Sequence, residues 1–343
     1  MAMMNKHKYL HSPGGSCACV AWSGIFRHMG HHFSESDIFG LGSGIYYGYF
    51  ALGNSKTFNI SLISPSVVSD LLTNLGICGK LSQISNSQKA LELLIKSLDN
   101  GIPIACQLNP NFCDGLINII SSDLLKYLPA HWIVVAGYDI DRETLLTYDN
   151  RQFNPVEISF VDFMKARNTG IGEQNPRNST YNLLSFERLY PLKEATLLSL
   201  RKSCSNFLEV QNILAVYTGI YGLEKTIRQI QIWDKILAEN QICELLQRIK
   251  MSITGAGGIK GGYRLLFSLY LERASEILQK SELEKCAFLF RSASELWNSF
   301  IANINETQSD LHNKNHWHNF PVILNEIKKV EEEGFYTIRQ IIN

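Results

Sequence analysis

The run HWIVVAGYD (131–139), followed almost at once by TLLTYD (144–149), constrains the fold more than any other feature of the chain. Both runs are rich in residues that suit a pleated surface. The polar link between them, around RETL, is too short for a crossover helix, so the two strands must be antiparallel neighbours joined by a hairpin. GIPIACQL (101–108) is a third strand of the same kind. An antiparallel pair with a tight turn sets the start of one strand beside the end of the other. His131 is thereby brought toward Asp149.

Around these strands the pattern predicts helices over 17–29, after the Gly14-Gly15 turn, and over 88–98, where KALELLIKSLD ends at Asn100-Gly101. The stretch from Asn168 to Thr180 is polar and rich in Gly, Pro and Asn, hence a loop, and a last strand is expected near 181–189. Beyond Pro191 strand-like runs give way to amphipathic helices. Leu223, Ile227, Ile230, Trp233 and Leu237 recur at helical spacing, as do Tyr263, Leu266, Phe267, Tyr270, Leu271 and Ala274. A chain of 343 residues suits two domains. The expected class is α+β: a domain over 1–190 with an antiparallel sheet, then an all-helical domain over 191–343 that covers the active site.

Cys17 follows Ser16, a good N-cap, and opens a helix with Ala18, Ala21, Ile25 and Met29 on one side. At a helix N-terminus the exposed N–H groups favour thiolate over thiol and can receive an oxyanion. Imidazole is the side chain suited to hold and deliver the proton. His131, fixed at the start of the most apolar strand, is placed for that role, and Asp149 for orienting its ring. Each residue alone has an ordinary structural explanation; the combination points to a cysteine nucleophile. Cys19 is the rival, but it lies about 200° around the helix from Cys17, so only one of them can face the site. The spacing of Cys17, Cys19, His28, His31 and His32 fits no standard zinc finger or ribbon, and no metal is expected.

The 32 basic and 32 acidic residues cancel, so no global charge draws the chain to nucleic acid or an anionic membrane. No segment has the apolar core of a signal peptide or approaches the roughly 20 apolar residues of a membrane span. A cytoplasmic protein is expected, its eight scattered cysteines reduced. The run GAGGIKGG (255–262) lacks the G-K-[ST] ending of a P-loop and the strand before a dinucleotide fingerprint. It allows close backbone approach, or cradles a phosphate with Lys260 and Arg264 nearby. FGLGSG (39–44) reads as a tight turn lining the cleft, with Gly42 a candidate contact. His312, His316 and His318 fall in a polar stretch that reads as a solvated loop or helix end.

The stretch GGSCACVAWSGIFRHMGHHFSESDIFGLGSG resembles the N-terminal domain of the butirosin-biosynthesis acyltransferase family, with a Cys-containing helix, an S-E motif and a Gly-Leu-Gly turn in order. The likeness continues through GIPIACQL and HWIVVAGYD, and ITGAGGIKGGYRLLFSLYLERAS is similar to the domain usually fused to it. The resemblance implies a papain-like fold, related to the peptidases that cut double-glycine leaders. It matches Cys17 to the nucleophile, His131 to the base and Asp149 to the orienting acid. Ser16 stands where many members carry histidine. His11, six residues before the cysteine, stands where related peptidases carry an oxyanion-binding glutamine, which makes it a candidate oxyanion donor.

With no ATP-binding motif, the acyl donor must arrive activated, as a phosphopantetheine-linked thioester on a carrier protein or coenzyme A. No bound cofactor is then required. The implied reaction is acyl transfer through acyl-Cys17 to an amine, either an aminoglycoside, as in the butirosin family, or a diamine, as in the similar amide synthase that joins closthioamide halves. Hydrolysis of a leader peptide or small amide would use the same residues.

Overall fold

The computed structural model describes residues 9–52, 57–120, 125, 130–169, 175–183, 189–209, 212–213, 216–255, 258–309 and 314–343. Ten strands are described, β1 Ile45–Leu52, β2 Thr57–Ile63, β3 Gly79–Ser82, β4 Ile104–Leu108, β5 His131–Asp139, β6 Thr144–Tyr148, β7 Val156–Ser159, β8 Thr180–Leu183, β9 Asn212–Ile213 and β10 Val216–Thr218. With the helices between them the class is α+β. The chain divides into two compact units, one of residues 1–38 and 77–188, the other of 39–76 and 189–343. This differs from the expected division at 190, because 39–76 join the C-terminal part.

In the first unit the sheet order is β3-β8-β4-β5-β6-β7, with neighbours antiparallel throughout. The three strands read from the sequence are its centre. On one face Cys106, Leu108, Ile133, Val135 and Leu145 form a core with Leu91, Leu94 and Leu98 of the helix Ser87–Asp99 and with Phe160, Phe163 and Ala166 of the helix Phe160–Asn168. The helix Cys17–His28 packs on β5 and β4, its Trp22 ring edge-on to Trp132 at 6.5 Å and to Tyr181 at 5.7 Å. The last expected strand is β8; residues 184–188 of that expectation lie outside the described residues.

The second unit is not all-helical. β1 pairs with β2 and with β10, giving a sheet of order β2-β1-β10-β9 among the described residues. Helices Leu192–Leu208, Gly219–Ile230, Glu239–Thr254, Arg264–Leu278, Glu282–Ser309 and Lys314–Ile342 accompany it. Leu223, Ile227 and Ile230, then Phe267, Tyr270, Leu271 and Ala274, are buried as the spacing predicts, but the first stripe ends with its helix at Ile230: Trp233 is buried in the separate short helix Trp233–Ile236, and Leu237 follows that helix in extended backbone. The aromatic core is close-packed, with Phe207 over Phe335 at 4.3 Å and Phe267 edge-on to Phe290 at 4.7 Å. Phe39 stacks on Tyr263 at 5.7 Å, which is part of why 39–76 belong here. Among the described residues no helix is long and apolar enough to cross a membrane.

Candidate active site

Cys17 is the first residue of its helix, partly exposed, behind the N-cap Ser16, whose Oγ accepts the Cys19 N–H at 3.4 Å. His131 opens β5 and is fully buried. Its Nε2 donates to Asp149 Oδ2 at 2.5 Å, which leaves the buried Nδ1 without a hydrogen-bond partner and as the ring nitrogen open to Cys17, whose charge acts on the imidazole. His131 and Asp149 are joined by a hydrogen bond, and the charges of Cys17 and His131 act on each other.

The hairpin alone does not put Asp149 on the right face. Asp139 pairs with Thr144, Tyr138 with Leu145 and Gly137 with Leu146, but beyond a bulge Val135 pairs with Thr147 and Val134 with Tyr148. Continuing the first register would set Asp149 opposite Val134, on the face away from His131. The extra residue, Ala136, shifts the pairing by one, so that Asp149 falls opposite Ile133, on the His131 side and diagonal to it. The bulge carries no clear sequence signal, since Ala-Gly suits a continuous strand edge equally well.

Burial would raise the Cys17 thiol, but the His131 charge, a bond from His131 and the Trp132 backbone N–H outweigh it, and the thiol titrates below its usual range. Burial works the other way on His131. There the Cys17 charge and the Asp149 bond prevail, lifting the imidazole to about 9. Burial opposes ionisation of Asp149 too, yet the His131 bond holds it below the usual carboxylate range. The two shifts run in the directions that favour a thiolate beside an imidazolium. Cys19, fully buried, has its thiol pushed far upward by desolvation and is no rival. All eight cysteines are free of disulfides, and among the described residues no group of three His, Cys, Asp or Glu could hold a metal.

His11 lies beside the triad, but its Nε2 donates to the Asp149 carbonyl at 2.8 Å and its ring packs on Tyr148 at 5.2 Å. Burial lowers its pKa, which favours the neutral ring, and the Nε2–H is taken by the Asp149 carbonyl. That is the geometry of a brace on Asp149; it leaves no proton for an oxyanion. Gly42, Lys260 and Arg264 lie in the second unit. Gly42 is in the turn after the helix Glu35–Leu41, and Lys260 is exposed before the short 3-10 turn Gly261–Tyr263. Arg264 is no phosphate ligand: it is fully buried, with Nε and Nη2 on the two Glu331 oxygens at 2.7 and 2.8 Å and Nη1 on the Gly262 carbonyl at 2.9 Å. Close packing accounts for the glycine run, since a Cβ on Gly261 would meet Ser294 Oγ at 1.8 Å. His312 lies outside the described residues.

Two residues that sequence reasoning passed over complete the site. Asn150 Nδ2 donates to the carbonyls of Gly14 at 2.9 Å and Gly15 at 3.3 Å, while the Gly14 N–H donates to the Asn150 carbonyl at 2.8 Å. Glu35 accepts the N–H groups of Gly15 at 3.2 Å and Ser16 at 2.5 Å. Gly14 has to be glycine for this: a Cβ there would sit 2.4 Å from Glu35 Oε2 and 2.7 Å from Val20 Cγ2. Gly14→Ala is accordingly expected to destabilise the first unit by about 1–3 kcal/mol through overpacking, read as a lower thermal midpoint; an unchanged midpoint would show that the turn yields freely.

Comparison with known families places these features. The family model described as butirosin biosynthesis protein H, N-terminal, matches residues 16–150, a span that begins at Ser16 and ends at Asn150. A domain of unknown function, DUF4872, matches residues 162–338. No curated protein matches the chain.

Proposed function

The chain belongs to the butirosin biosynthesis protein H family in its first half and to the DUF4872 family in its second, and on that premise we propose that it is an enzyme of antibiotic biosynthesis that transfers an acyl group from a thioester to an amine through Cys17. The observation that carries this reading is the buried His131–Asp149 hydrogen bond beside a helix-start Cys17 whose charge couples to His131. A cysteine at a helix start, against an antiparallel sheet whose hairpin supplies histidine and aspartate, also supports a papain-like fold for the first unit.

In the proposed reaction the Cys17 thiolate attacks the thioester carbonyl of a carrier-bound or coenzyme A-bound donor. The carbon–sulfur bond to the donor breaks, and the departing pantetheine thiolate takes the His131 proton. Charge on the carbonyl oxygen would be met at the helix start. There the N–H groups of Gly15, Ser16 and Cys19 are already engaged, which leaves those of Cys17 and Ala18. Acylation also resets the base. The Cys17 charge is the largest influence lifting His131; once the sulfur is acylated that charge is gone, and burial brings the imidazole down. Neutral His131 then takes the proton of the attacking amine, and the intermediate expels Cys17 as thiolate, restoring the ion pair. An aminoglycoside or a diamine fits the acceptor role.

The test is intact-mass analysis of the protein with an acyl-pantetheine thioester, with and without an amine, and with Cys17→Ala as control. A Cys17-dependent adduct discharged far faster by amine than by water is expected. Rapid discharge by water alone would assign a peptidase or amidase instead, and an adduct on Cys17→Ala would remove Cys17 as nucleophile.

A further inference from the structure

We propose that Glu35 is a positioning residue for acyl transfer: with Asn150 it clamps the Gly14–Ser16 backbone so that the Cys17 N–H points at the acyl oxygen. The inference rests on the reading of Cys17 as nucleophile given above. The segment is held from both sides, its carbonyls at Gly14 and Gly15 by Asn150 and its N–H groups at Gly15 and Ser16 by Glu35. The next peptide plane is fixed as well, because the Ser16 carbonyl accepts the Val20 N–H at 2.9 Å. A trans peptide is planar, so the Cys17 N–H must point opposite to that carbonyl, out of the helix start. Glu35 and Asn150 thus hold the two planes that lead into the helix, and the helix bond holds the third, which carries the Cys17 N–H.

Charge excludes the simpler explanation that Glu35 activates the thiol. A carboxylate near a helix N-terminus works against a neighbouring thiolate rather than for it. Its value to the site must therefore be geometric. This separates two reactions of the same sulfur. Alkylation by iodoacetamide needs only the thiolate, whereas acylation builds negative charge on a carbonyl oxygen and needs the N–H in place.

The experiment measures both on the full chain: the p-nitrophenolate burst from p-nitrophenyl acetate, in which Cys17 sulfur bonds to the acetyl carbon as the nitrophenolate leaves, and alkylation at pH 6. Glu35→Gln sets an amide N–H against one of the two donors. It is expected to slow the burst by about 10–100-fold, less than the roughly 10²–10³-fold for outright loss of an oxyanion donor because the N–H is misdirected rather than removed, while alkylation stays the same or rises. Asn150→Ala opens the clamp from its other side and is expected to give the same split, which keeps the test available if the first variant folds poorly. A burst within about threefold of wild type in both variants, or a fall of both rates in step with the thermal midpoint, overturns the proposal. Because p-nitrophenyl acetate acylates accessible cysteine nucleophiles generally, the clamp is tested even if the wild type refuses acyl-pantetheine.

Discussion

His131→Ala is expected to slow acylation of Cys17 by roughly 10²–10⁴-fold, the usual contribution of a positioned acid–base group, and to move alkylation of Cys17 to higher pH. The second effect identifies the cause of the first. Burial pushes the Cys17 thiol up, and the leading opposing influence is the His131 charge; without it the midpoint of alkylation should pass above the ordinary cysteine value of 9.0. In the wild type the thiolate fraction rises as pH increases through the lowered Cys17 pKa, and the imidazolium that protonates the leaving thiol is lost as pH passes about 9. Acylation by a thioester should therefore fall above pH 9 while alkylation does not. An alkylation midpoint unmoved by His131→Ala would show that the thiol is set by the helix start alone.

How far the sequence carried this site depends on the range of each signal. Cys17 and its N-cap are local, and so is the hairpin that links β5 to β6; both follow from neighbouring residues. Which face Asp149 occupies is not local, because one inserted residue at Ala136 reverses it. Glu35 was legible only as part of an S-E motif, and its work depends on a loop that returns to the Gly14-Gly15 turn. Asn150, beside a candidate acid, carries no sequence signal of its own, because its partners Gly14 and Gly15 lie more than 130 residues earlier. The same limit explains the placement of 39–76. IYYGYFAL has the composition of a strand, but its partner β10 lies far along the chain, inside a region dominated by helical periodicity. Short strands among long helices leave little periodic trace.

Arg264 follows a glycine run that suggests a phosphate contact, but its surroundings give it a different and larger consequence. Removing Glu331, as in Glu331→Leu, is expected to destabilise the second unit by about 3–5 kcal/mol, the cost of stranding a buried charge. Both side chains are fully buried, and the guanidinium also donates to the carbonyls of Tyr46 on β1 at 3.2 Å and Gly262 at 2.9 Å. Trp297 Nε1 donates to Glu331 Oε1 at 2.8 Å, tying in a third helix. With no carboxylate, Arg264 would keep its carbonyl contacts but lose its counter-charge, and Trp297 would lose its acceptor. For a domain of 150–250 residues this corresponds to a fall of roughly 6–20 °C in thermal midpoint. The double replacement Arg264→Met with Glu331→Leu should recover much of that loss, since it removes both charges and leaves apolar groups of similar size. Calorimetry of the single and double variants decides the matter: a double variant as unstable as Glu331→Leu would mean that the carbonyl contacts of Arg264, rather than its charge pairing, hold β1 to the helices.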